Sequence, residues 1–124
     1  MLGIIGAMDE EVAMIKAQLT DVQVESRAAM DFYKGKLEGK EVVVVRSGIG
    51  KVNAAMCTQI LADIYGVTGV VNTGIAGSLK AEIDIGDIVL SSDALQHDMD
   101  ATGFGYPVGQ IPQMERFSFP ADEG

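Results

Sequence analysis

Three carboxylates stand in one turn near the start of the chain: Asp9, Glu10 and Glu11. They follow the apolar run at residues 2–7, so a buried strand is expected to end and a helix to begin here. A carboxylate at the end of a strand can act as a general base toward a water molecule, and Glu11 is the sharpest candidate for this role. Alternatively, all three acids are N-terminal helix residues on a solvated face, with Asp9 as the N-cap. Spacing alone favours that alternative.

Two glycine-rich turns further along the chain could bring the backbone close to a ligand. The first, SGIGK at residues 47–51, could also aim the N–H groups of a following helix at an anion. It lacks the spacing of a Walker A loop and of a dinucleotide-binding motif. The second, TGIAGS at residues 73–78, has the same possible use. Each turn could equally be an ordinary tight connection.

His97 and Asp98 are a further pair that could bind a metal or take part in catalysis. A histidine without a second histidine or a cysteine nearby is weak evidence for a metal, and a structural hydrogen bond is the favoured alternative. Cys57 is the only cysteine, so no disulfide framework exists. A reducing compartment is therefore expected, with the cytoplasm as the default. Within its helix, Cys57 is expected to pack as a small apolar group.

Strands and helices alternate along the chain and must position these residues. The predicted elements are a strand at 2–7, a helix from Asp9, a hairpin at 29–46, a helix at about 51–65, a buried strand at 69–72 and one more strand within 83–95. The second helix is expected to end near Gly66 and to bury Val52, Ala55, Met56, Ile60 and Ile64. Beyond residue 95 the chain is expected to be irregular.

Strands that end in glycine-rich turns are typical of an open, largely parallel sheet. Ligands of such sheets bind beyond the carboxyl ends of the strands, so residues 8–11, 47–50 and 73–77 are expected to surround one site. Two helices of roughly 12–15 residues cannot cover both faces of about five strands. We therefore expect the chain to be the front part of a longer protein; the alternative is that a partner covers the bare face.

Charge and hydropathy exclude several classes of partner. The 124 residues include 9 basic and 18 acidic side chains, a formal net charge of −9, which repels phosphate backbones and anionic lipids. No apolar run approaches the roughly 20 residues of a membrane span. The N-terminus has no basic region of the kind that begins a signal peptide. Neither nucleic acid nor a membrane is an expected partner.

Six segments, taken in order, resemble the bacterial 5′-methylthioadenosine/S-adenosylhomocysteine nucleosidases. They are GIIGAMDEEV at 3–12, SGIGKVNAA at 47–55, NTGIAG at 72–77, GDIV at 86–89, HDMDATGFGY at 97–106 and GQIP at 109–112. Each segment alone is weak evidence, whereas the set in this order and spacing is highly specific. The likeness covers essentially the whole chain, but only about the first half of the family's length.

The resemblance implies an α/β fold: a three-layer α/β/α sandwich of the phosphorylase/hydrolase type, with a mixed, mostly parallel sheet that is incomplete at the C-terminus. Residues 1–124 would be the N-terminal portion of a single domain without an internal boundary. The implied activity is hydrolysis of the N-glycosidic bond of 5′-methylthioadenosine and S-adenosylhomocysteine to adenine and a thioribose, a reaction of methionine salvage. A homodimer is implied, with no metal and no organic cofactor.

The resemblance also assigns site residues by position. Glu11 matches the acid that activates the attacking water, Met8 the residue against the ribose, and Ile49 a wall of the 5′-alkylthio pocket. The other implied substrate-binding residues are Ile75, Ala76 and Gly77 in the turn at residues 73–78, and Phe104, Tyr106 and Pro112, which match residues that a neighbouring subunit lends to the pocket.

Two departures from the family pattern bear on activity. Ile75 stands where some members carry a serine that holds the nucleophilic water. The adenine-protonating aspartate, the ribose-binding Met-Glu pair and the adenine-stacking aromatic lie in the family's second half, so we expect this chain alone to be inactive. Alternatives are a non-catalytic fragment held together by self-association, and a purine nucleoside phosphorylase, for which Arg46 is the nearest candidate to hold phosphate.

Overall fold

Five strands and two helices form the first part of the chain. A computed structural model describes all of residues 1–124, which divide into two units, Met1–Gly77 and Ser78–Gly124. The elements of the first unit, in chain order, are β1 (Leu2–Gly6), α1 (Asp9–Ala17), β2 (Thr20–Arg27), β3 (Met30–Leu37), β4 (Lys40–Arg46), α2 (Lys51–Asp63) and β5 (Gly69–Asn72).

The strands of this unit form one five-stranded sheet in the order β2-β3-β4-β1-β5. Strand β1 is parallel to both of its neighbours, and Ile4 lies opposite Val44 of β4 and Val71 of β5. Strand β3 is antiparallel to β2 and to β4. Four strands therefore run in one direction and β3 in the other, which confirms the expected mixed, mostly parallel sheet.

One helix packs on each face of the sheet. On one face Val12 of α1 packs with Ile4 and Val44, and on the other Cys57 and Leu61 of α2 pack with strand residues that include Val43 and Val45. The consecutive valines of β4 serve both faces because successive strand side chains point in opposite directions. The result is the expected three-layer α/β/α arrangement. Neither helix is long and apolar enough to cross a membrane.

The predicted buried face of α2 is wrong. The buried residues of this helix are Cys57 and Leu61, whereas Val52 is 82% exposed and Ile64 50% exposed. Ala55 and Met56 are also exposed, and Ile60 alone of the predicted set packs against the core. Apolar residues occur all around this helix, so its sequence does not specify which side contacts the sheet. Gly66 has a positive φ of 62°, in keeping with its predicted role at the helix end.

The strand at residues 69–72 was also expected to be buried. It forms as β5, but Val70 and Val71 are 41% and 48% exposed. The physical reason is its position, since β5 is an edge strand that pairs with β1 alone. The hairpin at 29–46 is confirmed as β3 and β4, whereas β2, which pairs with β3, was not predicted.

The second unit is largely irregular, as expected for the chain beyond residue 95. It contains two short antiparallel strands, β6 (Asp93–Ala94) and β7 (Phe119–Pro120), and a single 3₁₀ turn at Thr102–Phe104. The predicted strand within 83–95 is therefore reduced to the two residues of β6. A turn closed by the Asp87 carboxylate, which accepts the Asp84 N–H at 2.9 Å, replaces its beginning. The assignment of residues 1–124 to a single domain stays a prediction.

Candidate active site

The carboxyl ends of β4, β1 and β5 lie side by side, and the three loops that leave them are joined by backbone hydrogen bonds. The N–H of Ser47 donates to the carbonyl of Gly6 at 2.9 Å, and the N–H of Thr73 donates to the carbonyl of Ile5 at 2.9 Å. These bonds continue the sheet ladder beyond the strands. The predicted gathering of residues 8–11, 47–50 and 73–77 at one edge of the sheet is confirmed.

The Glu11 carboxylate lies between two of these loops and accepts three backbone hydrogen bonds. Its Oε2 accepts the N–H groups of Ala7 at 2.6 Å and of Met8 at 3.0 Å. Its Oε1 accepts the N–H of Ile75 at 3.3 Å. These donors lower the pKa of Glu11 below its ordinary value, the Met8 N–H most strongly, while partial burial opposes the shift. Glu11 is therefore ionised at neutral pH.

Two glycines leave the space that the Glu11 side chain occupies. A Cβ atom at Gly74 would lie 2.7 Å from Glu11 Oε1 and 3.0 Å from its Cδ. A Cβ atom at Gly6 would lie 2.7 Å from a methyl group of Val12 and 3.0 Å from the Cβ of Glu11. Any larger residue at either position would have to displace the carboxylate or the start of α1.

The N-cap of α1 is Met8, with extended backbone angles, so the prediction of Asp9 as the cap is wrong. Glu11 stands at the third helical position, and its carboxylate accepts the N–H of the N-cap residue Met8, as the acidic residue of a capping box does. Asp9 instead forms ion pairs: its Oδ1 lies 3.5 Å from Nε of Arg46 and 3.8 Å from Nζ of Lys16. Glu10 is exposed, as expected.

An open cavity of about 520 Å³ adjoins this turn. It is lined by Ala7, Met8, Asp9, Glu10, Arg46, Gly48, Ile49 and Asn53. The lining includes the predicted substrate residues Met8 and Ile49. Glu11 is not part of it, because its carboxylate turns back toward the backbone amides.

Asn53 is a site residue that the sequence reasoning missed. Its Nδ2 donates to the carbonyl of Ile49 at 2.8 Å, and a Cβ atom at Gly48 would lie 3.1 Å from the same nitrogen. The side chain thus holds the 47–50 turn against the start of α2. An amide at the third position of a helix that follows a Gly-x-Gly turn was the available signal.

The remaining predicted substrate residues lie on two separate parts of the chain. Ile75 contacts Glu11 through its main chain, while its side chain is 84% exposed. Ala76 and Gly77 continue the same exposed loop. The others, Phe104, Tyr106 and Pro112, belong to the second unit; Phe104 is 87% exposed, and the Tyr106 hydroxyl accepts the N–H of Gln113 at 3.2 Å. The roles predicted for these residues stay predictions.

His97 and Asp98 occupy an exposed turn of the second unit, which the N–H of Met99 closes by donating to the carbonyl of Gln96 at 3.2 Å. The structure gives no support to a catalytic or metal-binding role for this pair.

Comparison with known proteins agrees with this architecture. The family model of the phosphorylase superfamily matches residues 1–124. A 5′-methylthioadenosine/S-adenosylhomocysteine nucleosidase of Staphylococcus haemolyticus is 50% identical over 123 residues, which cover 99% of this chain and 54% of that protein. The chain thus spans about half the length of the curated relatives it matches.

Solved structures give the same relationship. The nucleosidase of the same name from Colwellia psychrerythraea, crystallised with adenine, superposes with a TM-score of 0.95 at 48% identity and covers 98% of this chain and 50% of its own. Futalosine hydrolase of Helicobacter pylori superposes at 0.91 with 32% identity, covering 98% of this chain and 52% of its own. The fold is shared by both enzymes, while the sequence is nearer to the nucleosidase. Because the family model matches residues 1–124, the chain belongs to the phosphorylase superfamily.

Proposed function

We propose that the protein hydrolyses the N-glycosidic bond of 5′-methylthioadenosine and S-adenosylhomocysteine, releasing adenine and the thioribose. The observation that carries the proposal is the Glu11 carboxylate, fixed by three backbone N–H groups at the carboxyl edge of the sheet. The choice of substrate is supported by 5′-methylthioadenosine/S-adenosylhomocysteine nucleosidases that are 50% identical in sequence to the chain.

The two oxygens of Glu11 are suited to different tasks. Oε2 accepts two backbone hydrogen bonds, whereas Oε1 accepts one. A carboxylate oxygen offers two lone-pair directions, so Oε1 can accept one more hydrogen bond, from a water molecule. The proposed base is therefore Oε1, with Oε2 anchoring the side chain.

In the proposed reaction, the bond between the anomeric carbon and the adenine nitrogen breaks as the water oxygen bonds to that carbon. The water proton passes to Glu11, and the departing adenine takes up a proton. The sugar passes through an oxocarbenium-like state, which needs little nucleophilic strength from the water. A carboxylate of lowered pKa is a weak base, but its negative charge stabilises the developing cation.

For the substrate, Met8 and Ile49 are proposed to lie against the ribose and the 5′-alkylthio group. The loop residues Ile75, Ala76 and Gly77 are proposed to contact the substrate beside Glu11. Two observations support these contacts. Met8 and Ile49 line the cavity, and the Ile75 N–H donates a hydrogen bond to Glu11.

We further propose that two copies of the protein form a homodimer in which the partner lends Phe104, Tyr106 and Pro112 to this pocket. Large apolar side chains are exposed to solvent in both units, including Val52 of α2 at 82% and Phe104 at 87%. Exposed apolar groups of this size are typical of interaction surfaces. The role in methionine salvage and the cytoplasm as compartment stay predictions.

The test uses a chimera in which residues 1–124 replace the matching part of the Staphylococcus haemolyticus nucleosidase. We expect the chimera to release adenine from methylthioadenosine without added phosphate. Glu11→Gln should lower the rate by about 10²–10⁴-fold, since it removes the base. Glu38→Gln, an exposed carboxylate in the β3–β4 turn, is the matched control and should leave the rate unchanged.

Two results would contradict the proposal. Undiminished adenine release by Glu11→Gln would remove Glu11 from the chemistry, and a requirement for phosphate would make the enzyme a phosphorylase. The 124-residue chain alone is expected to release adenine negligibly, because the family's adenine-protonating acid has no counterpart in it. Release at the rate of the chimera would contradict that expectation.

A further inference from the structure

The cavity beside the α1 turn has walls of two kinds. Met8 and Ile49 give it apolar surface, while Asp9, Glu10 and Arg46 give it charge. A methylthio group is neutral and uses only the apolar surface. S-adenosylhomocysteine carries on the same sulfur a chain that ends in an α-ammonium and an α-carboxylate, so it offers charges of both signs.

The charged wall is built as an ion pair that remains open to solvent. Asp9 Oδ1 lies 3.5 Å from Arg46 Nε, and the two side chains are 67% and 51% exposed. An ion pair this exposed contributes little to folding stability. The contact uses Nε, and the guanidinium has further N–H donors in a planar fork that matches a carboxylate.

The signs of these charges select the class of ligand. Asp9 and Glu10 oppose a simple anion such as phosphate, and Arg46 opposes a simple cation. A zwitterion whose two charges lie head to tail against the Asp9–Arg46 pair satisfies both signs. Lys16, whose Nζ lies 3.8 Å from Asp9 Oδ1, keeps part of the Asp9 charge compensated when Arg46 turns to a ligand.

We propose that this cavity is a subsite for the aminoacyl end of S-adenosylhomocysteine, with Arg46 binding the α-carboxylate and Asp9, beside Glu10, binding the α-ammonium. The inference rests on the proposed function, which puts the ribose against Met8 and the 5′-alkylthio group against Ile49. It makes Asp9 and Arg46 specificity-determining residues that act on one substrate and not on the other.

The test compares the two substrates as ligands of the chimera that carries Glu11→Gln, which should bind them with little turnover, by NMR of the Met8 and Ile49 methyl groups. Arg46→Gln and Asp9→Asn should each weaken binding of S-adenosylhomocysteine by about five- to tenfold and leave that of methylthioadenosine unchanged. Arg27→Gln is the matched control: Arg27 forms an ion pair of 3.3 Å with Glu25 on β2, is similarly exposed at 45%, and is not among the cavity-lining residues.

Each outcome decides a different question. If the substitutions weaken the binding of both ligands equally, or weaken the binding of neither, the subsite is overturned while the proposed function stays in place. If neither ligand shifts the Met8 and Ile49 methyl signals of this chimera, the proposed pocket fails and the subsite fails with it. Two separate variants are used because Arg46 and Asp9 stand on different elements, β4 and α1. If one variant fails to fold, the other still tests the subsite.

Discussion

The turn from β1 into α1 and the turn from β4 into α2 lie at the same edge of the sheet, yet they are held by different chemistry. In the first, the Glu11 side chain reaches back to the N–H groups of Ala7 and Met8. In the second, α2 begins without a side-chain cap, and the backbone bends at Gly48 and Gly50, with φ of 86° and 100°. Three acids begin α1, and none begins α2.

The difference assigns separate contributions to the two turns. A carboxylate that holds its own turn is fixed in place and stays charged, so the first turn carries the proposed base. A glycine-rich turn has little side-chain bulk, so the second leaves room, and the cavity extends along Gly48 and Ile49. Substitutions that disturb one turn and not the other test this division.

Gly74→Ala should have the largest effect, and on the first turn. Its Cβ would lie 2.7 Å from Glu11 Oε1, so the carboxylate must move and the hydrogen bond from Ile75 is lost. Overpacking of this kind costs about 1–3 kcal/mol. Urea unfolding of the chain measures the loss, and adenine release by the chimera should fall with it. Gly103→Ala, where nothing lies within 4 Å, is the control and should be nearly neutral.

Gly50→Ala should disturb the second turn alone. Nothing lies within 4 Å of its Cβ position, so the cost is backbone strain at φ 100° and ψ 159°, about 1–2 kcal/mol. Gly39→Ala, with φ 80° in the β3–β4 turn, should be destabilised similarly. Only Gly50→Ala should shift the Ile49 methyl signal. A shift of the Glu11 carboxyl signal in Gly50→Ala would mean that the two turns are coupled.

Asn53→Ala should give a smaller loss in the same turn. It removes the 2.8 Å hydrogen bond to the carbonyl of Ile49, worth about 0.5–1.5 kcal/mol. Thr58→Ala, which removes a 2.8 Å side-chain bond to the carbonyl of Ala54 within α2, is the matched comparison. Thermal unfolding of both variants measures the difference. Methylthioadenosine binding should weaken in Asn53→Ala and not in Thr58→Ala.

The smallest effect expected is a change in how stability depends on pH. Because the folded-state pKa of Glu11 is lowered from 4.5, ionised Glu11 stabilises the fold at pH values above 4.5, and this contribution is lost as the pH falls through the folded-state pKa. Gln keeps one acceptor oxygen but does not titrate. Glu11→Gln should therefore be less stable than the unsubstituted chain at pH 7, with the gap closing in acid. A gap that stays constant with pH would contradict this account.

Local signals in the sequence are enough to predict much of the sheet and the edge at which the three loops gather. The apolar run that becomes β1, the valines of β4 and the glycine-rich turns are read from neighbouring residues. For Glu11, spacing alone favours a solvated face, and only the resemblance assigns it a catalytic role. Both Asp9 and Glu11 suit a helix start, however, so spacing alone could not say whether Asp9 would be the N-cap or whether the helix would begin at Asp9, with Glu11 accepting the Met8 N–H.

Burial could not be predicted where it depends on distant partners. Helix α2 is apolar on several sides, and its contact with the sheet at Leu61 is set by the close approach to β1 that Gly3 permits, where a Cβ would lie 2.8 Å from Leu61. Likewise, the Asp9–Arg46 pair exists because β1 pairs with β4, which brings residues far apart in sequence to one edge.

Cys57 is a buried residue of α2, and the rate at which its thiol reacts can measure how often this helix leaves the sheet. Burial raises the pKa of its thiol to about 11, so little thiolate exists at neutral pH while α2 is packed on the sheet. An alkylating reagent can then react only during the moments in which the helix separates from the strands beneath it. The rate of Cys57 alkylation therefore reports how often that layer of the sandwich opens, without any substitution in the protein.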